Sequence, residues 1–129
     1  MERFIVVEGK LDAVLIDKLM SPEEADVVGI AIAGGKAAAL PLANSLAVAQ
    51  GVPVALVIDA NTINEDLIRE QEIDFQDFVD DLQVDCPPVL ILGKPTVRDS
   101  VQDPEWLEKI RQFIEGEDYA AKHPFSFRR

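Results

Sequence analysis

Two uninterrupted apolar runs, Phe4–Val7 and Val54–Ile58, constrain this chain more than any other feature. Neither alternates polar with apolar positions, so a strand built from either has no face to offer water. Phe4–Val7 carries three β-branched residues, which favours an extended segment over a helical turn. Strands of this kind are covered on both sides and belong to layered α/β architectures rather than to half-exposed hairpins. Glu8 closes the first run and Asp59 closes the second.

The remaining segments alternate with these strands. Beyond Gly9, apolar residues at Leu11, Val14, Leu15 and Leu19 have helical spacing, predicting a helix that ends near Met20-Ser21-Pro22. Ala25–Ala33 reads as a second strand leading into Gly34-Gly35-Lys36. Ala37–Gln50 reads as a helix stopped by Gly51, with Pro41 near its start. Thr62–Asp85 is acidic and broken, and its apolar spacing (Ile63, Leu67, Ile68, Ile73, Phe75, Phe78, Val79, Leu82) suits two short helices. Cys86-Pro87-Pro88 is a stiff connector into a fourth strand, Val89–Leu92, closed by Gly93-Lys94-Pro95. Asp103-Pro104-Glu105 starts a last helix with Trp106, Leu107, Ile110, Phe113 and Ile114 on one face, and Gly116 stops it. The expectation is one α/β domain over residues 1–118, with a mainly parallel four-stranded sheet flanked by helices. A basic, aromatic tail follows over residues 119–129, as a docking extension or a frayed end.

At 129 residues and 48% hydrophobic, the chain has material for a single core of ordinary size. No stretch approaches the ~18 apolar residues of a membrane span, and Met1-Glu2-Arg3 leads directly into a strand, so a soluble, cytoplasmic protein is expected. Cys86 and His123 are each the sole residue of their type, which leaves no internal disulfide and no zinc-like spacing. The net charge of −12 is uneven: residues 59–118 hold five Lys/Arg against seventeen Asp/Glu, and residues 119–129 hold three against none. Phosphate backbones are repelled by such a surface, so a nucleic-acid function requires metal ions, a local basic patch or a basic partner.

The chemistry rests on where the apolar runs end. If the two strands are parallel neighbours, Glu8 and Asp59 converge at one sheet edge, the edge where open parallel sheets bind ligands. Converging carboxylates repel, and a shared proton or a hard cation relieves that repulsion; Mg²⁺ (or Mn²⁺) suits such oxygen ligands. Glu8 and Asp12 equally suit the first turn of a helix, where negative charge meets the positive end of the dipole. Gly34-Gly35-Lys36 lets backbone amides and an ammonium approach an anion, although an exposed lysine near a turn is an equally ordinary reading of Lys36. Its spacing is not that of an ATP-binding phosphate loop.

Val7-Glu8-Gly9-Lys10-Leu11-Asp12 resembles the first motif of Toprim domains, Val-Glu-Gly-x-x-Asp in bacterial primases and related nucleases. The second Toprim motif, a strand ending in Asp-x-Asp, is matched by Val54–Asn61, with Asp59 in register and Asn61 at the second aspartate. Gly34-Gly35-Lys36 resembles the Gly-Gly-Lys after the second strand of OLD (overcoming-lysogenization-defect) nucleases. The resemblance spans residue 4 to about residue 92. It implies a Toprim-like, Rossmann-like fold in which Glu8 acts as general acid or base or as a metal ligand. Asp59 and Asn61 would hold metal, and Lys36 would meet a phosphate. Glu65 stands where topoisomerase-like and ribosomal-RNA-maturation Toprim enzymes place a further acidic residue, although the glycine before it there is Asn64 here. Asn61 is the departure: an amide oxygen coordinates a cation without supplying charge, which lowers metal affinity.

Two functions follow from the resemblance. One is Mg²⁺-dependent phosphodiester chemistry on DNA or RNA, as a nuclease or nucleotidyl transferase. The other is a catalytically degenerate Toprim-shaped binding or regulatory module, working with a partner protein that supplies basic surface. A receiver-like phosphoacceptor role for Asp59, with Lys94 on the fourth strand's turn, is a weaker third match.

Overall fold

The computed structural model describes residues 1–82 and 84–116. Its centre is one sheet of four strands, β1 (Arg3–Val7), β2 (Val28–Ile32), β3 (Val54–Asp59) and β4 (Val89–Gly93). All pair in parallel in the order β2-β1-β3-β4, so the two continuously apolar runs become the central strands and direct neighbours. Among the described residues, six helices connect or flank them: α1 (Lys10–Asp17), α2 (Pro22–Val27), α3 (Lys36–Gln50), α4 (Glu65–Asp80), α5 (Val97–Ser100) and α6 (Pro104–Glu115).

Alternation along each strand divides the core in two. Ile5, Val7, Ala55, Val57 and Ile91 face one layer with Ile16 of α1 and Trp106, Ile110, Phe113 and Ile114 of α6. Val6, Val54, Leu56, Ile58 and Leu92 face the other, with α3 and α4. In α3 the buried positions are Ala39, Ala43 and Ala47, one every four residues, and side chains this small let the helix backbone lie close against β1 and β3. Pro41 interrupts the ladder of α3 on its exposed side, where the carbonyl of Ala37 can turn to water. No helix among the described residues is long and apolar enough to cross a membrane.

Three expectations about the elements change. The segment before β2 is not strand from Ala25: Ser21 caps a separate helix, α2, through a reciprocal capping box with Glu24, and proline opens its first turn. The acidic segment forms one 16-residue helix, α4, instead of two. No glycine or proline interrupts it, and Ile68, Phe75 and Val79 recur on a single buried stripe. After β4 the chain adds the short helix α5, whose Thr96 hydroxyl accepts from the Asp99 amide at 3.1 Å. The tail of residues 119–129 lies outside the described residues.

Burial and pairing have different weights in holding α6. Ile110 and Ile16 are fully buried, and each contributes roughly 1.5–3 kcal/mol. Arg111 forks onto Glu24 through two hydrogen bonds of 2.9 and 2.8 Å and also donates to the Leu19 carbonyl at 2.8 Å, fastening α6 to the chain around α2. Such a half-exposed pair contributes about 1 kcal/mol or less, so it orients the helix while the apolar face supplies most of the attachment. The Arg111 guanidinium, then the Ser21 amide, hold the Glu24 carboxyl down to about 2. A lowered folded-state value means that this stabilisation is present above the ordinary glutamate range and is lost as pH falls toward 2. Urea denaturation of Glu24→Gln should therefore show a deficit of about 1 kcal/mol at neutral pH that shrinks in acid; a deficit independent of pH would contradict the assignment.

Gly93 governs the turn that returns the chain to the sheet edge. A Cβ there would collide with the backbone of Thr96 and Val97, which no side-chain rotation relieves. Gly93→Ala should cost about 3 kcal/mol in urea denaturation, and an unchanged midpoint would show that the loop has room.

Candidate functional site

The parallel register brings all four strand ends to one rim. The chain leaves β1 toward β2 on one side, and later continues from β3 to β4 on the other. Between β1 and β3 the connections diverge, α1 packing on one face of the sheet and α4 on the other. This is the topological switch point, where open α/β sheets leave a crevice. Glu8 directly follows β1 and Asp59 ends β3, so both carboxylates stand at that crevice.

Their geometry is fixed by backbone donors. Glu8 Oε2 accepts from the Asp59 N–H at 2.7 Å. Asp59 Oδ1 accepts from the Val97 N–H at 2.7 Å. The Asp59 carbonyl accepts from Lys36 Nζ, also at 2.7 Å. Asp59 is thereby held through its amide, its carbonyl and its side chain, by groups from three different connections. The second oxygen of each carboxylate has no hydrogen-bond partner among the described residues. Gly34 donates to the Glu8 carbonyl at 2.9 Å, which draws the Gly-Gly-Lys turn against the end of β1.

Asp12 completes the acidic surroundings. It sits in the first turn of α1 and lines a depression of about 270 Å³ with Asp59, Thr96, Arg98 and Asp99. Burial pushes its carboxyl up, and the nearby charges of Asp59 and Glu8 push it further; Arg98 and the Gly9 amide oppose them. Asp12 is thus near enough to Asp59 and Glu8 to feel their charge, and Arg98 does not offset burial and these two together.

The other candidate ligands lie elsewhere. Asn61 occupies the left-handed region at φ 60°, which asparagine tolerates, and its N–H donates to the Pro95 carbonyl at 2.8 Å. Its side chain is exposed and enters none of the bonds joining Glu8 to Asp59. Glu65 starts α4, where Asn64 caps the helix by accepting from the Asp66 and Leu67 amides. It lines a second depression, of about 360 Å³, with Arg69, Glu72 and Lys94. Lys94, the match for a receiver-like site, faces this second depression, and the lysine bonded at Asp59 is Lys36. Among the described residues, no group of three or more His, Cys, Asp or Glu is gathered so as to hold a metal ion.

Sequence reasoning missed Thr96, Val97 and Arg98, which close around Asp59 from the end of β4. The signal was present: Thr96-x-x-Asp99 is a helix-start pattern. At four residues, α5 is too short for an apolar period to reinforce that cap.

The raised Asp12 value carries a sign that can be checked. Because the ionised carboxylate is less favourable in the folded protein than in the unfolded chain, it lowers stability at neutral pH, and acid removes this penalty. Asp12→Asn should melt higher than the wild type at neutral pH and lose that advantage below the ordinary aspartate range, as followed by thermal denaturation; a lower neutral melting point would show that Asp12 is structurally required.

Comparison of the chain with protein-family models, curated proteins and solved structures returned no match.

Proposed function

We propose that the rim between β1 and β3 performs divalent-cation-dependent phosphodiester chemistry on nucleic acid, as a Toprim-like nuclease. The observation that carries this reading is the 2.7 Å hydrogen bond from the Asp59 amide to Glu8 Oε2, which seats the Glu8 carboxylate against the backbone of Asp59 at the switch point. Glu8 and Asp59 each use one oxygen on a backbone amide and keep the other for a ligand.

The donor set fits a hard cation of the Mg²⁺ type. Mg²⁺ keeps several waters and is usually held by one or two carboxylates plus substrate phosphate, so Glu8 and Asp59 suffice without a cage of three protein ligands. Asp12 adds negative charge nearby, which favours a cation further. Bound there, the ion would polarise a phosphoryl oxygen and make water a better nucleophile. The chain's own residues have separate tasks. Glu8, fixed by the Asp59 amide, would hold the ion through its one free oxygen. Asp59 orients the pair through Val97, and Lys36 places an ammonium at the same rim, where it can meet a phosphate. Asn61 and Glu65 are not required in this arrangement.

The isosteric changes Glu8→Gln and Asp59→Asn keep an oxygen for the Asp59 and Val97 amides, so the fold should survive. Cleavage of labelled DNA or RNA in Mg²⁺ or Mn²⁺ should fall by at least about 100-fold in either variant, with weakened ion binding by calorimetry. Wild-type rates in both variants would remove the site.

A second reading, a Toprim-shaped binding or regulatory module without turnover, is favoured by Asn61, whose amide stands where the resemblance expects a carboxylate. It is selected if the wild type cleaves nothing while Asn61→Asp gains divalent-dependent cleavage.

A further inference from the structure

Nine lysines and arginines lie among the described residues of this acidic chain, and the topology sends five of them toward the carboxyl rim. Lys10 and Lys36 open the helices after β1 and β2, Lys94 follows β4, Arg98 lies in α5, and Arg69 is in the second turn of α4. Lys36 is engaged at the Asp59 carbonyl. Arg69, Lys94 and Arg98 are exposed and form no ion pair among the described residues, whereas Arg111 is held by Glu24 and Glu115. Cations left unpaired on a surface with this excess of carboxylates keep all their donors available.

The three are arranged around one loop. Lys94 lines the depression that also holds Arg69, and Thr96, two residues on, lines the one that holds Arg98 and Asp59. The loop from Lys94 to Thr96 therefore separates two pockets, each presenting free cationic donors. Charge decides when they can act. In the first pocket Arg69 and Lys94 are matched by Glu65 and Glu72. In the second, Arg98 faces Asp12, Asp59 and Asp99, a formal excess of two negative charges that repels phosphate. Glu8 and Lys36, both bonded to the Asp59 backbone beside this pocket, offset one another, so one divalent cation at the Glu8–Asp59 pair cancels the remaining excess.

We propose that the phosphate backbone of a nucleic-acid strand crosses the Lys94–Thr96 loop, gripped by Arg69 and Lys94 on one side and by Arg98 on the other, and that the grip forms only with a divalent cation bound at Glu8 and Asp59. This rests on the metal-site reading above and adds to it the substrate's path and a binding order, cation before strand. Contacts to phosphate alone position a strand without reading its sequence. Three such contacts on a single strand give a slope of about −2 in log affinity against log salt.

The test is fluorescence anisotropy of a labelled single-stranded DNA, and of the same RNA sequence, in Ca²⁺ and in EDTA, so that binding is read without turnover. The wild type should bind about tenfold more tightly in Ca²⁺, with a slope near −2. Arg69→Glu, Lys94→Glu and Arg98→Glu should each weaken binding about fivefold or more and reduce the slope by about 0.7. Lys18→Glu and Lys109→Glu, equal charge changes on exposed residues outside the rim, should shift affinity by less than about twofold. The grip is refuted if the wild type binds neither strand, if EDTA leaves affinity unchanged, or if the two control variants lose as much as the three rim variants. Failure of the chemistry is separable: cleavage that persists in Glu8→Gln and Asp59→Asn sinks the catalytic assignment, whereas cation-dependent binding lost only in the rim variants upholds the grip. All five positions are exposed, and melting curves identify any variant that fails to fold.

Discussion

The hydrogen bond between the Asp59 amide and Glu8 ties the rim of this sheet together. It is possible because β1 and β3 are parallel neighbours in register, Val7 opposite Val57, so that Glu8 comes level with Ile58 and its side chain reaches the amide of the next residue, Asp59. In an antiparallel pair the same two carboxylates would stand at opposite ends. Parallel pairing in turn requires both faces of the strands to be covered, which the continuous apolar runs demand in any case. The core and the arrangement of the rim thus have one origin.

Holding two carboxylates together costs free energy, and the rim reduces that cost by local means. Each carboxylate accepts a backbone N–H, a fixed partial positive charge that does not move when a ligand arrives. The donor to Asp59 depends on Gly93, whose missing Cβ lets Thr96 and Val97 fold back against the end of β3. A glycine in β4, a short helix after it and an aspartate in β3 therefore act as one unit. Asp12 also has a backbone amide, that of Gly9, but burial and then the two nearby carboxylates outweigh the help it receives from Arg98 and Gly9. Uncompensated charge in a crevice is a recurrent mark of sites shaped for a ligand instead of for stability.

How far residues announce structure depends here on the range of the interaction. β1, β3, β4, α3 and α6 could be read directly, because apolar runs, the glycine stops at Gly51 and Gly116, and proline at the start of α6 act within a few residues. The meeting of Glu8 with Asp59 was legible only conditionally, since strand order is a property of the whole chain. α2 and α5 escaped notice although Ser21-x-x-Glu24 and Thr96-x-x-Asp99 both begin helices. Short helices bury little, so no apolar periodicity reinforces their caps. Glu65 shows the opposite limit: its position after Asp59 suggested a ligand, but α4 begins at that point and carries its side chain to the depression of Arg69 and Lys94. Only the path of the loop between Asp59 and Asn64 decides between those outcomes, and Asn61 turns that path through a left-handed residue.

Net charge is a poor guide to which surface of this protein meets an anion. Seventeen acidic residues crowd positions 59–118, and many lie along α4 or in α6. The five cations near the rim are brought there by the topology, because every helix that follows a strand in a parallel sheet begins on the same side. A lysine or arginine in the first turns of such a helix is carried to the ligand edge whatever the average composition of the chain. Acidic side chains along the outer faces of the helices lie further from that edge, and salt screens them beyond about 8–10 Å. What an approaching phosphate experiences is therefore the nearest few charges: Glu8, Asp12, Asp59 and Asp99 against Lys36 and Arg98 at the crevice, and a balanced set at Lys94. A single divalent ion is large on that scale, although it changes the total of −12 by only two. On the function proposed above, an acidic protein of this topology would exclude nucleic acid over most of its surface and still admit it at one edge, provided that a cation is already in place.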